Sequence, residues 1–259
     1  MRKSNDVRLK ITDFLSSRGI SVTGTSSVGP LPGVPERFTP QVLLRDARSV
    51  ICYGLPIPRG IVLAARDGLD LYWRFCNMAY RSLDAISNQL CTMLEEEGAS
   101  AVPVYACFPW KLVKREFWGV LPLVYWAEQA GLGRLAKCGL LVSPDYGTRL
   151  LLGATVTTLD LKPTGKLEGD PCPPGCFDCV QVCPVHAIEK TGKVDHNLCL
   201  RYSTSNPLVA HLARDSDTKE HFSFETLLNT AGVDDHSSYS CFECLRACPL
   251  NQRFSSRTG

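Results

Sequence analysis

Cys172, Cys176, Cys179 and Cys183, closed by Pro184, and Cys241, Cys244 and Cys248, closed by Pro249, form two runs that can hold iron and sulfide. Two-residue gaps wrap a loop round one corner of a four-iron cube, so successive thiolates point inward. The three-residue gap before each proline starts a helix that carries the last thiolate toward a second cube. Proline suits that first helical turn because no backbone N–H is needed there. Cys199, between the runs, brings the set to eight, the number that two 4Fe-4S clusters require. Crossing over of the last thiolates predicts cluster I on Cys172, Cys176, Cys179 and Cys248, and cluster II on Cys183, Cys199, Cys241 and Cys244. Structural zinc is the competing chemistry, since paired two-residue gaps also make tetrahedral sites. Eight cysteines, trailing prolines and three-residue last gaps favour iron-sulfur. One gap departs from the pattern: Pro-Pro-Gly separates Cys172 from Cys176, an extra residue that a glycine-containing loop can absorb.

Other groups read more plainly. His186, His196, His211, His221 and His236 all fall in the same half of the chain, and with eight cysteines at hand they are expected at the surface or behind the ligands. His236, in Asp234 to Tyr239, lacks the glycine of a cobalamin-ligating D-x-H-x-x-G segment, because Tyr239 stands in its place. Cys52, Cys76, Cys91, Cys107 and Cys138 are scattered, as small buried apolar residues are. Cys138 stands out among them, since it follows Lys137 beside a glycine turn. Lys111, Lys114 and Arg115, next to Trp110 and Trp118, read as a solvated face rather than an anion or tRNA site. Gly131 to Ala136 matches G-x-G-x-x-A nominally. A dinucleotide turn needs a strand before it and a helix after it, however, and here the order is reversed.

The elements that must position these groups follow from periodicity. Val7, Ile11, Phe14 and Leu15 predict a helix from about Asp6 to Arg18, stopped by Gly19. A loop rich in Ser, Gly and Pro follows, then a short helix from Pro40 to about Ala47 and a buried strand over Ser49–Leu55. Leu71, Phe75, Met78, Leu83, Ile86, Leu90 and Leu94 predict a long helix over 69–97, connecting that strand to a second over Ala101–Ala106. Leu123 to Ala130 reads as a helix ending in the glycine turn. Cys138–Val142 and Arg149–Thr157 read as a hairpin joined by the turn residues Ser143 to Gly147. A boundary near residues 165–170 then separates residues 1–168 from a cluster-bearing part, residues 169–259.

Composition narrows the function. Lys and Arg number 28 against 26 Asp and Glu, a net charge of +2, which argues against nucleic acid as a partner. The longest apolar region, Gly119 to Gly133, is broken by Glu128 and is too short to span a bilayer, so no membrane association is expected. The first residues are amphipathic with no apolar leader, so a cytoplasmic protein is expected. Thirteen cysteines then argue for metal ligation rather than a disulfide scaffold.

Ala130-Gly131-Leu132-Gly133, Lys137, Leu140-Leu141-Val142, Pro144-Asp145-Tyr146-Gly147, Leu152-Gly153 and Thr157 to Leu161, leading into the two cysteine runs, resemble the epoxyqueuosine reductase family and its relatives, the reductive dehalogenases. The resemblance covers residues 120–250 and implies an α+β fold. It pairs a nitroreductase-like α/β N-terminal domain that binds cobalamin with a C-terminal bacterial ferredoxin-like domain carrying two 4Fe-4S clusters. It implies that Gly131, Gly133, Lys137 and Gly147 sit against the corrinoid. Two departures matter. The family's acidic proton donor precedes its glycine turn, but Phe117 to Pro122 holds no aspartate and Glu116 is out of pattern. The chain also stops soon after Cys248, which leaves no room for the helical-repeat extension that grips tRNA. The leading expectation is therefore a redox protein fed by a low-potential donor, passing electrons to a corrinoid, its own or a partner's, for another reduction. Alternatives are an electron-transfer or docking module without corrinoid, and tRNA epoxyqueuosine reduction itself.

Overall fold

In the computed structural model, which describes residues 2–64, 66–106, 110–113, 116–203 and 241–252, two long strands set the layering. β2 (Ser49–Pro56) and β8 (Leu150–Thr157) pair antiparallel over eight positions, and β8 is buried along its whole length. Its neighbours are β2 on one side and β3 (Ala101–Val104) on the other, while β1 (Val22–Ser27) extends the sheet beyond β2, giving the order β1-β2-β8-β3. Alternate side chains of a strand face opposite ways, so this sheet needs cover on both faces.

Ile51, Tyr53 and Leu151 face α1 (Arg2–Ser16) and α4 (Gly68–Glu96), which contribute Leu15, Leu83, Leu90 and Leu94, all fully buried. Each of those leucines contributes about 2 kcal/mol of burial. Val50, Cys52, Leu152, Ala154 and Val156 face the other way, onto α5 (Leu123–Gln129) and its fully buried Trp126. Because β2 and β3 both run antiparallel to β8, they are parallel to each other. The predicted role of α4 as the connection between two strands of one sheet therefore holds. Short elements complete the framework: α2 (Pro40–Leu43), α3 (Arg59–Leu63), and the paired strands β4 (Trp110–Val113) and β5 (Glu116–Gly119). No described helix is long and apolar enough to cross a membrane.

Three local expectations are corrected. The predicted hairpin does not form: β7 (Leu141–Val142) pairs with β6 (Arg134–Leu135), and β8 leaves for the middle of the sheet. The turn closes on itself, Ser143 and Gly147 exchanging backbone hydrogen bonds at 2.8 and 2.9 Å, but the two strands diverge because β8 is apolar on both faces and finds its partners in β2 and β3. The Ser-, Gly- and Pro-rich loop contains β1, whose Thr-Gly-Thr-Ser-Ser sequence lacks alternating apolar residues and is held by its ladder to β2. The helix expected to reach Ala47 stops at Leu43.

Candidate iron-sulfur site

Each cysteine run folds into the same short device. Phe177 precedes α6 (Asp178–Gln181) with φ −136° and ψ 21°, and Phe242 precedes α8 (Glu243–Arg246) with φ −145° and ψ 22°. An acidic residue opens each helix, which suits its positive end. The repeat extends beyond the cysteines themselves: Phe-Asp-Cys answers Phe-Glu-Cys, and each run leaves its last cysteine just past a one-turn helix.

The longer first gap closes as a turn. The Cys176 amide donates to the Pro173 carbonyl at 3.0 Å, and Gly175 takes φ +72°, a left-handed conformation that glycine adopts without strain. Downstream, Ala187 donates its N–H to the Cys183 sulfur at 3.2 Å. Asp195 accepts from the Leu198 amide at 2.9 Å and opens α7 (His196–Ser203), the helix that presents Cys199.

The thiols gather in three neighbourhoods. Cys183, Cys199 and Cys241 interact electrostatically with one another. Cys172 and Cys176 both act on Cys248. Cys179 and Cys244 both meet Cys138, which is buried in a small apolar cluster with Ala136, Val142, Cys183, Ala187 and Ile188. Burial pushes the Cys199, Cys241 and Cys248 thiols above the ordinary cysteine value. Only a bound cation would make such thiols deprotonated ligands near neutrality. Among the described residues, no group of three or more His, Cys, Asp or Glu side chains converges as a set that could hold a metal ion.

The glycine turn follows α5 and precedes β6, so the order is helix, turn, strand, as the sequence indicated. The positions that side chains would take at Gly131, Gly133 and Gly147 are filled by the Gly165 carbonyl, the Val142 carbonyl and the Asn251 side chain. Packing within the chain accounts for the absence of a side chain at all three. Lys137 places its Nζ 5.3 Å from the centre of the Phe177 ring, against the first cysteine run.

Of the remaining sequence candidates, Cys52, Cys76 and Cys91 are buried, as expected. His186 and His196 are exposed. Trp118 stacks on Phe38 with ring centres 5.1 Å apart. Cys107, Lys114, Arg115, His211, His221, His236 and the Asp234 to Tyr239 segment lie outside the described residues.

Two residues that sequence reasoning passed over hold the region together. Asn251 is 2% exposed and ties the last turn to Thr148 and Leu245. Glu128, noted in the sequence only as an interruption, accepts the Leu135 amide at 3.0 Å and pairs with Lys166 at 2.9 Å and Arg134 at 3.6 Å. Burial alone would raise its carboxyl, but the Leu135 N–H and the two cations outweigh it and hold the group below the usual glutamate value. A carboxylate depressed in the fold stabilises fully above its unfolded value, and that stability is lost as pH falls through the folded one. Glu128→Gln is therefore expected to cost about 2 kcal/mol at neutral pH. The difference from wild type should vanish on acidification below the ordinary glutamate range, as read by urea titrations at several pH values.

Comparison with known proteins bears out the resemblance. The chain is 35% identical over 138 residues to an epoxyqueuosine reductase of Synechocystis, covering 51% of this chain and 40% of that protein. It is 33% identical over 225 residues to one from Lactococcus garvieae, covering 85% and 57%. The chain thus spans about half the length of the curated relatives it matches. No family model matches it. An epoxyqueuosine reductase solved with an epoxyqueuosine-modified tRNA stem loop superposes with a TM-score of 0.63 at 20% identity, covering 96% of this chain and 66% of that one. A catabolic reductive dehalogenase superposes at 0.60 with 16% identity, covering 94% and 31%. These likenesses give the fold: mixed α/β, of the kind shared by epoxyqueuosine reductases and reductive dehalogenases. Two expectations are overturned. The relatives are epoxyqueuosine reductases, which displaces the leading reading of a redox protein serving some other reduction. The stem-loop complex of a fold neighbour removes the argument against nucleic acid, because near-neutral total charge does not preclude a local RNA-binding surface.

Proposed function

We propose that this chain is the catalytic part of a reductase that acts on epoxyqueuosine in tRNA. The observation that carries the reading is the sequence likeness to epoxyqueuosine reductases along 85% of the chain, together with the paired cysteine devices. The reading assigns two 4Fe-4S clusters, one on Cys172, Cys176, Cys179 and Cys248 and one on Cys183, Cys199, Cys241 and Cys244. Each cluster exchanges one electron at a time, so a pair suits a two-electron reduction. Residues 169–259 form the ferredoxin-like part and residues 1–168 the nitroreductase-like part of a cytoplasmic enzyme that draws on a low-potential donor.

A corrinoid belongs to the same reading through fold likeness to a reductive dehalogenase described as working by B12-dependent dehalogenation, with a TM-score of 0.54. When bound, it would supply a low-valent cobalt centre. Of the four carried-over residues, Lys137 alone has a side-chain functional group to offer a ligand, while Gly131, Gly133 and Gly147 have only backbone groups to offer.

The chain's own residues perform definite tasks in this scheme. The Ala187 amide stabilises charge on the Cys183 sulfur. Glu128 fixes the glycine turn against β6 and the segment before the first cysteine. The test is expression in a strain lacking its own epoxyqueuosine reductase, with tRNA nucleosides resolved by mass spectrometry. Queuosine in place of epoxyqueuosine is expected. Persistent epoxyqueuosine alongside an iron-loaded protein would refute the substrate while leaving the clusters intact.

A further inference from the structure

β2 and β8 make their last pair at Pro56 and Leu150, and just beyond it the chain brings two arginines together. Ile57 donates its N–H to the Arg149 carbonyl at 2.9 Å, and its own carbonyl accepts from Arg149 Nη1 at 2.7 Å, so the guanidinium is held across the end of the ladder. Arg149 is 7% exposed, and its Nε–H is buried with no acceptor. Two residues after Ile57, the half-buried Arg59 opens α3. Among the described residues no carboxylate is paired with Arg149. Burial and then the like charge of Arg59 work against its protonated form, and Tyr146 alone favours it. Tyr146 comes from the closed turn between Ser143 and Gly147, and its hydroxyl meets Ser21 Oγ at 3.1 Å. Buried charges are ordinarily paired, because leaving water costs an ion more than one hydrogen bond to a carbonyl returns.

We propose that Arg149, with Arg59 beside it, binds the phosphate group of a ligand at the end of the β2–β8 ladder. The inference goes beyond the reductase reading and draws on none of the cysteine chemistry. Arginine presents its N–H donors in a flat fork that matches two oxygens of one phosphate, and the Ile57 carbonyl engages Nη1 alone. Two neighbouring cations repel each other in the free chain, and together they match a doubly charged oxyanion better than a carboxylate. Burial strengthens the match, since little water screens the charges. The phosphate can come with a small ligand or with an RNA backbone, and the chemistry at the two arginines is the same.

Thermal unfolding of the anaerobically purified full chain is followed at rising inorganic phosphate, with potassium chloride of matched ionic strength as the reference. Phosphate is expected to stabilise wild type beyond chloride, with binding at least about 10-fold weaker in Arg149→Met and less affected in Arg59→Gln. The sign without phosphate separates a ligand-binding arginine from a structural one. Arg149→Met should then equal or exceed wild type in stability, because an uncompensated charge leaves the interior, and fall below it only in saturating phosphate. Equal destabilisation of Arg149→Met with and without phosphate overturns the inference, as does wild type that responds to phosphate no more than to chloride. If Arg149→Met fails to fold, the wild-type response and its weakening in Arg59→Gln decide. A stem-loop RNA supplies the second arm. Displacement of the RNA from wild type by inorganic phosphate identifies the RNA backbone as the source, whereas phosphate binding without displacement identifies a small phosphorylated ligand. Queuosine formation is not a readout, so failure of the reductase reading leaves this test intact.

Discussion

Serine at position 183 is expected to cost the protein about half its iron, from about eight atoms to about four per chain, and to lower reductase turnover by a factor of about 100 or more. Cys183 is the one buried thiol of the eight, the other seven being partly exposed. It ends the first run yet interacts electrostatically with Cys199 and Cys241, the cysteines with which the proposed assignment groups it. Its sulfur already receives the Ala187 N–H, a bond suited to a thiolate that carries metal. Serine keeps the shape but offers a hard, poorly ionised oxygen where iron-sulfur chemistry takes a soft thiolate. Cluster II should be lost and cluster I kept, because none of Cys172, Cys176, Cys179 or Cys248 is touched. Iron analysis and EPR of the dithionite-reduced protein check this. Cys52→Ala, fully buried in the main sheet and remote from both runs, is the control that should leave iron unchanged. Eight irons retained in Cys183→Ser would defeat the assignment.

Legibility followed the physical range of each signal. Ligand spacing is local, so the cysteine runs announced themselves; so did α4, whose apolar stripe spans 29 residues. The hairpin failed because the partners of a strand are set by the whole sheet. Arg149–Thr157 carries the near-continuous apolar run of a central strand, which should have spoken against a two-stranded ribbon. β1 was hidden because its Thr and Ser residues mimic a loop. Asn251 gave no signal, since a buried asparagine is recognised only by the carbonyl and amide it satisfies. The same limit applies to the glycines. Gly131 and Gly133 matched a motif, but the carbonyls of Gly165 and Val142 that require them are remote or not evident in sequence.

Asn251→Ala is expected to destabilise the protein by about 3 kcal/mol and to loosen cluster I before any ligand is changed. The Asn251 amide donates to Leu245 O at 2.6 Å and to Thr148 Oγ1 at 2.9 Å, while its Oδ1 accepts the Thr148 N–H at 2.9 Å. Alanine would strand the Thr148 N–H and the Leu245 carbonyl in a dry site, at about 1–3 kcal/mol each. The Asn251 N–H bonds the Cys248 carbonyl at 3.1 Å, so the disturbance falls directly on a ligand-bearing turn. Denaturant titration under anaerobic conditions gives the stability, and the rate of iron loss to a chelator gives the loosening. A double-mutant comparison isolates the contact. Gly147→Ala alone is costly, because its Cβ would collide with Asn251 Oδ1 and φ is +60°. With Asn251 already alanine the collision is gone and only the backbone strain and the nearby Leu250 remain. The pair should therefore cost at least about 1 kcal/mol less than the sum of the single changes. Strict additivity would mean that the turn and the C-terminal segment do not meet through Asn251, and the route by which β8 positions Cys248 would have to be sought elsewhere.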